Sequence, residues 1–148
     1  YTTIAFRVPE TALQGKFCMG YLVARSLIDG AITLDTFTEQ AIRNPDVLAL
    51  LAKVEMRADP GLSAVRDGAR PARVTIQLRN GQTHVREARF PKGSPQVPMT
   101  PAEIEAKFRA CVRGTISEAA TAQVLPQVRR LETLDSVVPL ARLLAGNA

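Results

Sequence analysis

Apolar positions recur with helical spacing at both ends of this chain and with strand spacing in its middle. From Gly15 to Asp29 the residues Phe17, Tyr21, Ala24 and Ile28 fall at i, i+4, i+7 and i+11, and Gly30 follows as a natural terminator. This predicts one helix with that stripe turned inward. Its first half, Phe17 to Ala24, is apolar around most of its circumference, so the helix is expected to be buried. Thr33 to Thr38 is rich in capping residues, and Asn44-Pro45 pairs a capping asparagine with a proline suited to the first helical position. A short helix carrying Val47, Leu48 and Leu51 should follow. Lys53 to Asp59 then alternates with period two and reads as a strand ended by Pro60-Gly61.

The clearest local pattern is a hairpin. Val74, Ile76 and Leu78 alternate with Arg73, Thr75, Gln77 and Arg79, and Asn80-Gly81 suits the positive φ angles of a type I′ turn. The return strand, Gln82 to Phe90, places Val85 and Phe90 on opposite parities, which a bulge would reconcile. Four prolines between residues 91 and 101 mark a crossing loop. Thr100-Pro101-Ala102-Glu103 then opens a helix with a capping box, its inward stripe being Ile104, Phe108 and Cys111. A further helix from about Ser117 carries Val124, Val128 and Leu131, with Pro126 expected to kink or split it. Asp135 is expected to cap a last helix bearing Val138, Leu140 and Leu144 and closed by Gly146.

Strands cluster in the middle, helices lie at both ends, and the evident pairing is antiparallel. The expected class is α+β: a small antiparallel sheet with a central hairpin, packed against helices from both ends of the chain.

Composition adds size and setting. The chain has 148 residues, 46% hydrophobic and 22% charged, enough to hide roughly 68–70% of its unfolded surface without disulfide or metal staples. Cys18 and Cys111 lie far apart with no metal-ligand or redox spacing around them, so no metal site is expected and both read as small buried apolar residues. No run approaches the ~18 apolar residues of a membrane helix, and no basic-then-apolar leader opens the chain, so a soluble, reducing, cytoplasmic setting with no membrane partner is expected. The chain opens at Tyr1 on strand-like text running to Val8, which reads as a piece of something longer; a processed terminus gives the same text.

Net charge is +5, and its location matters more than its size. Residues 66 to 92 hold Arg66, Arg70, Arg73, Arg79, Arg86, Arg89 and Lys92 against Asp67 and Glu87, an excess equal to that of the whole chain. Aromatic residues are 5% of the chain and none interleaves with these arginines to stack bases. No nucleic-acid partner is therefore expected. A solvated face and a site for an anionic substrate or partner remain.

Dinucleotide, P-loop, zincin and hydrolase-elbow motifs lack their minimal residues here. His84 is the sole histidine and falls in the return strand, where a solvent-facing position is the simpler reading. The candidate chemistry lies in Leu13 to Tyr21. An apolar helix whose entry carries Lys16, Cys18 and Tyr21 offers a cation and a phenol to a carboxylate, with Gly20 allowing close approach. A core tyrosine bonded to backbone gives the same text.

Pro9-Glu-Thr-Ala-Leu-Gln-Gly-Lys-Phe-Cys-Met-Gly-Tyr-Leu-Val-Ala24 resembles the P-x-T-x-L-E-[AG]-K-F-S-x-x-Y-x-x-A segment of the MmgE/PrpD family. Asp29-Gly30, Thr33 to Phe37, Leu50 to Val54, Asn80-Gly81, Phe90 to Pro95 and Pro101 to Arg109 follow in the family's order. The resemblance implies the smaller, carboxy-terminal α+β lid domain over residues 1–148, with the amino-terminal helical domain of the same protein absent from this chain. It implies a lyase or isomerase that dehydrates, decarboxylates or epimerises a small di- or tricarboxylate without a cofactor. It further implies Tyr21 as a catalytic residue, beside which the helix entry itself offers Lys16 and Cys18 to the substrate, and expected partners in the helical domain and a homodimeric second copy. Most other catalytic groups, including histidines, would lie in the helical domain, so this chain alone should be inactive. Gln14 stands where glutamate is common and Cys18 where serine is common, which puts a standard substrate in doubt. The rival reading is a non-catalytic module that binds an acidic partner or assembles subunits through its basic hairpin.

Overall fold

The computed structural model describes residues 6–62, 69 and 71–145. Contacts divide the chain into two units, Tyr1–Arg57 and Ala58–Ala148. Among the described residues it holds seven α-helices and one two-stranded antiparallel sheet, an α+β composition with helices before and after the hairpin.

In the first unit the expected single helix is two pieces, α1 (Ala12–Gly15) and α2 (Met19–Asp29). Between them Lys16 to Cys18 leave helical register, with Cys18 extended at φ −113° and ψ 95°. Gly30 ends α2 at φ 75°, in the left-handed region that glycine tolerates. The break redirects the apolar stripe. Tyr21 and Ala24 are buried as expected, but Phe17 is 43% and Ile28 47% exposed, and Cys18 and Gly20 are buried instead.

The capping text after Gly30 works as written. Thr38 accepts from the Ala41 N–H to start α3 (Glu39–Ile42). Asn44 accepts from Asp46 and Val47 N–H to start α4 (Pro45–Leu51), with Pro45 in the first turn. Helix α4 packs on α2, and Cys18, Tyr21, Ala24, Ile42, Val47 and Leu51 form the unit's core. Gly20 permits this packing: a Cβ there would lie 2.7 Å from the Leu51 Cδ1. The close approach it allows is thus that of α4. The strand expected at Lys53 to Asp59 is not formed. The Lys53 and Val54 N–H groups turn back to the Leu50 and Leu51 carbonyls, and no strand pairs with the segment among the described residues. Period-two text becomes a strand only beside an edge that takes its backbone bonds.

The second unit is built on the hairpin of β1 (Ala72–Gln77) and β2 (Thr83–Ala88), with Val74 opposite Arg86 and Ile76 opposite His84. The register is continuous without the expected bulge, because Val85 lies on the face opposite Ile76 and Phe90 falls beyond the strand's end. The turn also differs from type I′. The Gly81 N–H donates to Leu78 O at 3.0 Å, Leu78 N–H to Gln82 O at 2.8 Å, and only Gly81 of the loop has positive φ, at 87°. This is a three-residue loop with glycine in the left-handed position. Helical cover over the apolar face is incomplete: Ile76 is half-buried, Val74 38% and Leu78 41% exposed.

After the proline-rich loop, α5 (Pro101–Val112) begins with the expected capping box, Thr100 accepting from Glu103 N–H and Glu103 from Thr100 N–H. Its expected inward stripe is not buried; Ile104 and Cys111 are exposed. Cys111 is therefore not the buried residue expected. Ser117 caps α6 (Glu118–Val128), which runs through Pro126 without splitting. Helix α7 (Val138–Leu144) packs on α6, and Val124, Thr121 and Leu140 are buried in this unit. Ser136 rather than Asp135 accepts from the Val138 N–H. Gly146 lies outside the described residues. None of the described helices is long and apolar enough to cross a membrane.

Candidate functional site

The segment from Glu10 to Tyr21 is organised by its own polar side chains. Thr11 accepts from Gln14 N–H at 3.2 Å, and Gln14 Oε1 accepts from Glu10 N–H at 2.8 Å. This is a local variant of the reciprocal cap at a helix start, and glutamine serves as acceptor there as glutamate does. Gly15 lies against Tyr21, Ile42 and Phe37; a Cβ on it would come within 3.3 Å of both Ile42 Cγ2 and Tyr21 Cε1. A residue without a side chain is what lets the turn close over the tyrosine ring.

Tyr21 is fully buried, and its hydroxyl donates to the Thr36 carbonyl at 2.5 Å. Burial pushes its phenol pKa above the ordinary 10.0; nearby Arg25 opposes the rise, while Asp29 and Cys18 add to it. Cys18 is also fully buried, and its thiol donates to Arg7 O at 3.4 Å. Burial raises its pKa as well, against lowering by the Tyr21 and Gly20 backbone N–H groups. Lys16 is exposed, and its ammonium stands 5.7 Å from the centroid of the Phe37 ring.

The structure therefore brings Lys16 and Tyr21 together indirectly. Both are anchored on one dipeptide, Thr36-Phe37, the ammonium on the ring and the phenol on the preceding carbonyl. That dipeptide closes the 3-10 turn Leu34–Phe37. Cys18 is held apart from it on Arg7.

Arg25 escaped the sequence reading. It lies one helical turn beyond Tyr21, its Nη2 pairs with Asp29 at 2.7 Å, and its Nε is buried without an acceptor among the described residues. The available signal was an arginine at i+4 from the tyrosine and i−4 from Asp29, in a helix whose first half is apolar.

A cleft of about 970 Å³ opens in the same unit, lined by Phe6, Val8, Leu48, Val54 and Met56, with Arg7 and Arg57 among its polar groups. Gly20 lines it, whereas Lys16, Cys18 and Tyr21 do not.

The basic stretch is partly neutralised in place. Arg73 pairs with Glu87 at 3.0 Å and with Asp59 at 3.1 Å, and Lys92 pairs with Glu103 at 2.7 Å. Lys92 foremost, then the Thr100 N–H and hydroxyl, lower the Glu103 carboxyl pKa from 4.5 to about 2. His84 is exposed on the hairpin, as expected. Arg66 and Arg70 lie outside the described residues. No three His, Cys, Asp or Glu side chains cluster in metal-binding range among the described residues.

Residues 2–132 match the family model of the MmgE/PrpD C-terminal domain. Cis-aconitate decarboxylases of Mus musculus and Homo sapiens are each 27% identical over 138 residues, covering 93% of this chain and 28% of theirs. The cis-aconitate decarboxylase-like protein oryM of Aspergillus oryzae is 27% identical over 139 residues, 94% of this chain and 28% of its own length. The chain thus spans a little over a quarter of the length of these curated relatives.

Proposed function

Since the chain belongs to the MmgE/PrpD family, with residues 2–132 matching its C-terminal domain, we propose that it forms the lid portion of a lyase acting on a small di- or tricarboxylate. The match over residues 2–132 carries this reading, and the decarboxylase relatives favour loss of carbon dioxide over dehydration or epimerisation. In such a step the bond to the departing carboxylate carbon breaks, its electron pair stays on the neighbouring carbon, and an acid delivers a proton there. Fixed donors around the developing charge lower that barrier most effectively in a cleft that excludes water.

On this reading Lys16 meets a substrate carboxylate and Tyr21 sits beside the reacting centre. The exposed ammonium exchanges the Phe37 face for an anion, a trade that strengthens as water is excluded. The remaining proton-transfer groups come from a helical domain, because one exposed histidine leaves this chain without an acid–base pair. No cofactor is invoked.

A second reading is favoured by one observation, the complete burial of Tyr21 with its proton given to Thr36. It keeps Tyr21 in the core and leaves Lys16 as the residue of this unit that reaches substrate.

The test is turnover by the complete polypeptide that carries this domain. Cis-aconitate, 2-methylcitrate and iminodisuccinate are offered separately, and products and released carbon dioxide are followed by NMR and gas analysis. Decarboxylation of the first is the expected result. No turnover of any of the three by well-folded protein would sink the proposal, as would turnover by the isolated 148-residue chain.

A further inference from the structure

A phenol has one proton to donate, and Tyr21 has given its own to the carbonyl of Thr36. Where that hydroxyl points is therefore decided fifteen residues away, by whatever fixes the peptide plane after residue 36. Two bonds do so. The Thr36 N–H donates to Thr33 O at 3.3 Å, and the Thr36 side-chain Oγ1 accepts from Thr33 N–H at 3.0 Å. Thr36 is 1% exposed, so its own N–H and hydroxyl depend on these protein partners rather than on water. The aromatic ring of Phe37 extends the same turn to Lys16.

We propose that Thr36 is the positioning residue of this site, its hydroxyl locking the 3-10 turn whose carbonyl aims the Tyr21 phenol. With the proton held by Thr36, the phenol oxygen offers only its lone pairs to a ligand, so in this state it accepts hydrogen bonds and donates one only by releasing the carbonyl. The catalytic consequence rests on the reading that Tyr21 meets substrate; the positioning itself does not.

Thr36→Val replaces the hydroxyl with a methyl group of similar volume, Thr36→Ala removes it without added bulk, and Thr36→Ser restores it. The chain has two tyrosines, Tyr1 and Tyr21, so ring-labelled tyrosine gives two NMR signals, assigned with Tyr21→Phe. The expected result is a displaced Tyr21 signal and hydroxyl-proton exchange faster by about tenfold in the Val and Ala variants, with the parent signal regained in Thr36→Ser. In the complete enzyme kcat should fall by about tenfold or more with KM little changed, as misplacement of a group costs, and Thr36→Ser should recover it. If Thr36→Val does not fold, Thr36→Ala carries the same readout. A Tyr21 signal and exchange rate unaltered in both variants overturns the proposal. A displaced signal with normal kinetics upholds the positioning and sinks the active-site reading of Tyr21 instead.

Discussion

Replacing Tyr21 with phenylalanine separates the two readings of this residue in one variant. The ring, packed against Gly15 and the Ile42 core, stays; the bond to Thr36 goes. A net hydrogen bond is worth about 0.5–1.5 kcal/mol, and leaving the buried carbonyl without this donor takes the cost to about 1–3 kcal/mol. For a chain of this length each kcal/mol lowers Tm by about 4 °C, so a loss of about 1–3 kcal/mol amounts to a drop of about 4–12 °C, read by circular dichroism. Burial holds the folded phenol above its ordinary pKa. Its contribution is therefore complete below about pH 10 and is lost as pH climbs through the folded value. Tyr21→Phe should remove that part of the alkaline destabilisation. In the complete enzyme kcat/KM should fall by about 10²-fold if the hydroxyl meets developing charge. A variant as stable as the parent would refute the bond to Thr36, and unchanged kinetics would return Tyr21 to the core.

Gly20→Val should cost about 1–3 kcal/mol, because even a Cβ there meets Leu51 at 2.7 Å; an unchanged urea midpoint would contradict the α2–α4 packing. Ile76→Ala should cost about 1–2 kcal/mol, below the 2–5 of a fully buried site, since Ile76 is only half-buried on an open hairpin face. A loss above about 3 kcal/mol in chemical denaturation would mean that face is covered. The Glu103 carboxylate, lowered from 4.5 to about 2, contributes stability above its ordinary pKa that is lost as pH falls through the folded value. Melts across that acid range should flatten in Glu103→Gln, and an unaltered slope would show that its bonds to Lys92 and Thr100 are not kept in solution.

What the sequence disclosed divides along a physical line. Asn44 and Thr100 were legible as caps, and Thr38 as part of a cap-rich run, because a cap joins a side chain to a backbone group two or three residues away; at the last helix the same reading missed by one residue, Ser136 taking the place of Asp135. Gly30 and Gly81 were legible as left-handed positions for the same local reason. Burial was not. Phe17, Ile28 and Ile104 carry the period of an inward stripe and are exposed, since periodicity marks a face but not the partner that covers it. Lys53 to Asp59 failed likewise, its alternation having no edge to join among the described residues. Lys16, Cys18 and Tyr21 were named from the residues, but Thr36 was not, because the bond that makes it matter spans fifteen positions.

On the proposed reading, the two departures from the family pattern both meet backbone partners within this unit. Gln14 lacks the negative charge of a glutamate, yet its oxygen accepts the Glu10 N–H within a helix cap, which either side chain accomplishes. Cys18 is a weaker donor than serine, yet its donor is directed to the Arg7 carbonyl inside the core, where a serine hydroxyl would find the same acceptor. Gln14 is half-buried and Cys18 fully buried, each committed to a backbone partner. Discrimination between one polycarboxylate and another would then come from groups with an open side: Lys16 on this unit, and the residues of whatever surface closes over it. A Gln14→Glu or Cys18→Ser variant should accordingly shift stability slightly and leave substrate preference where it was, whereas Lys16→Met should raise KM for an anionic substrate more than it changes melting.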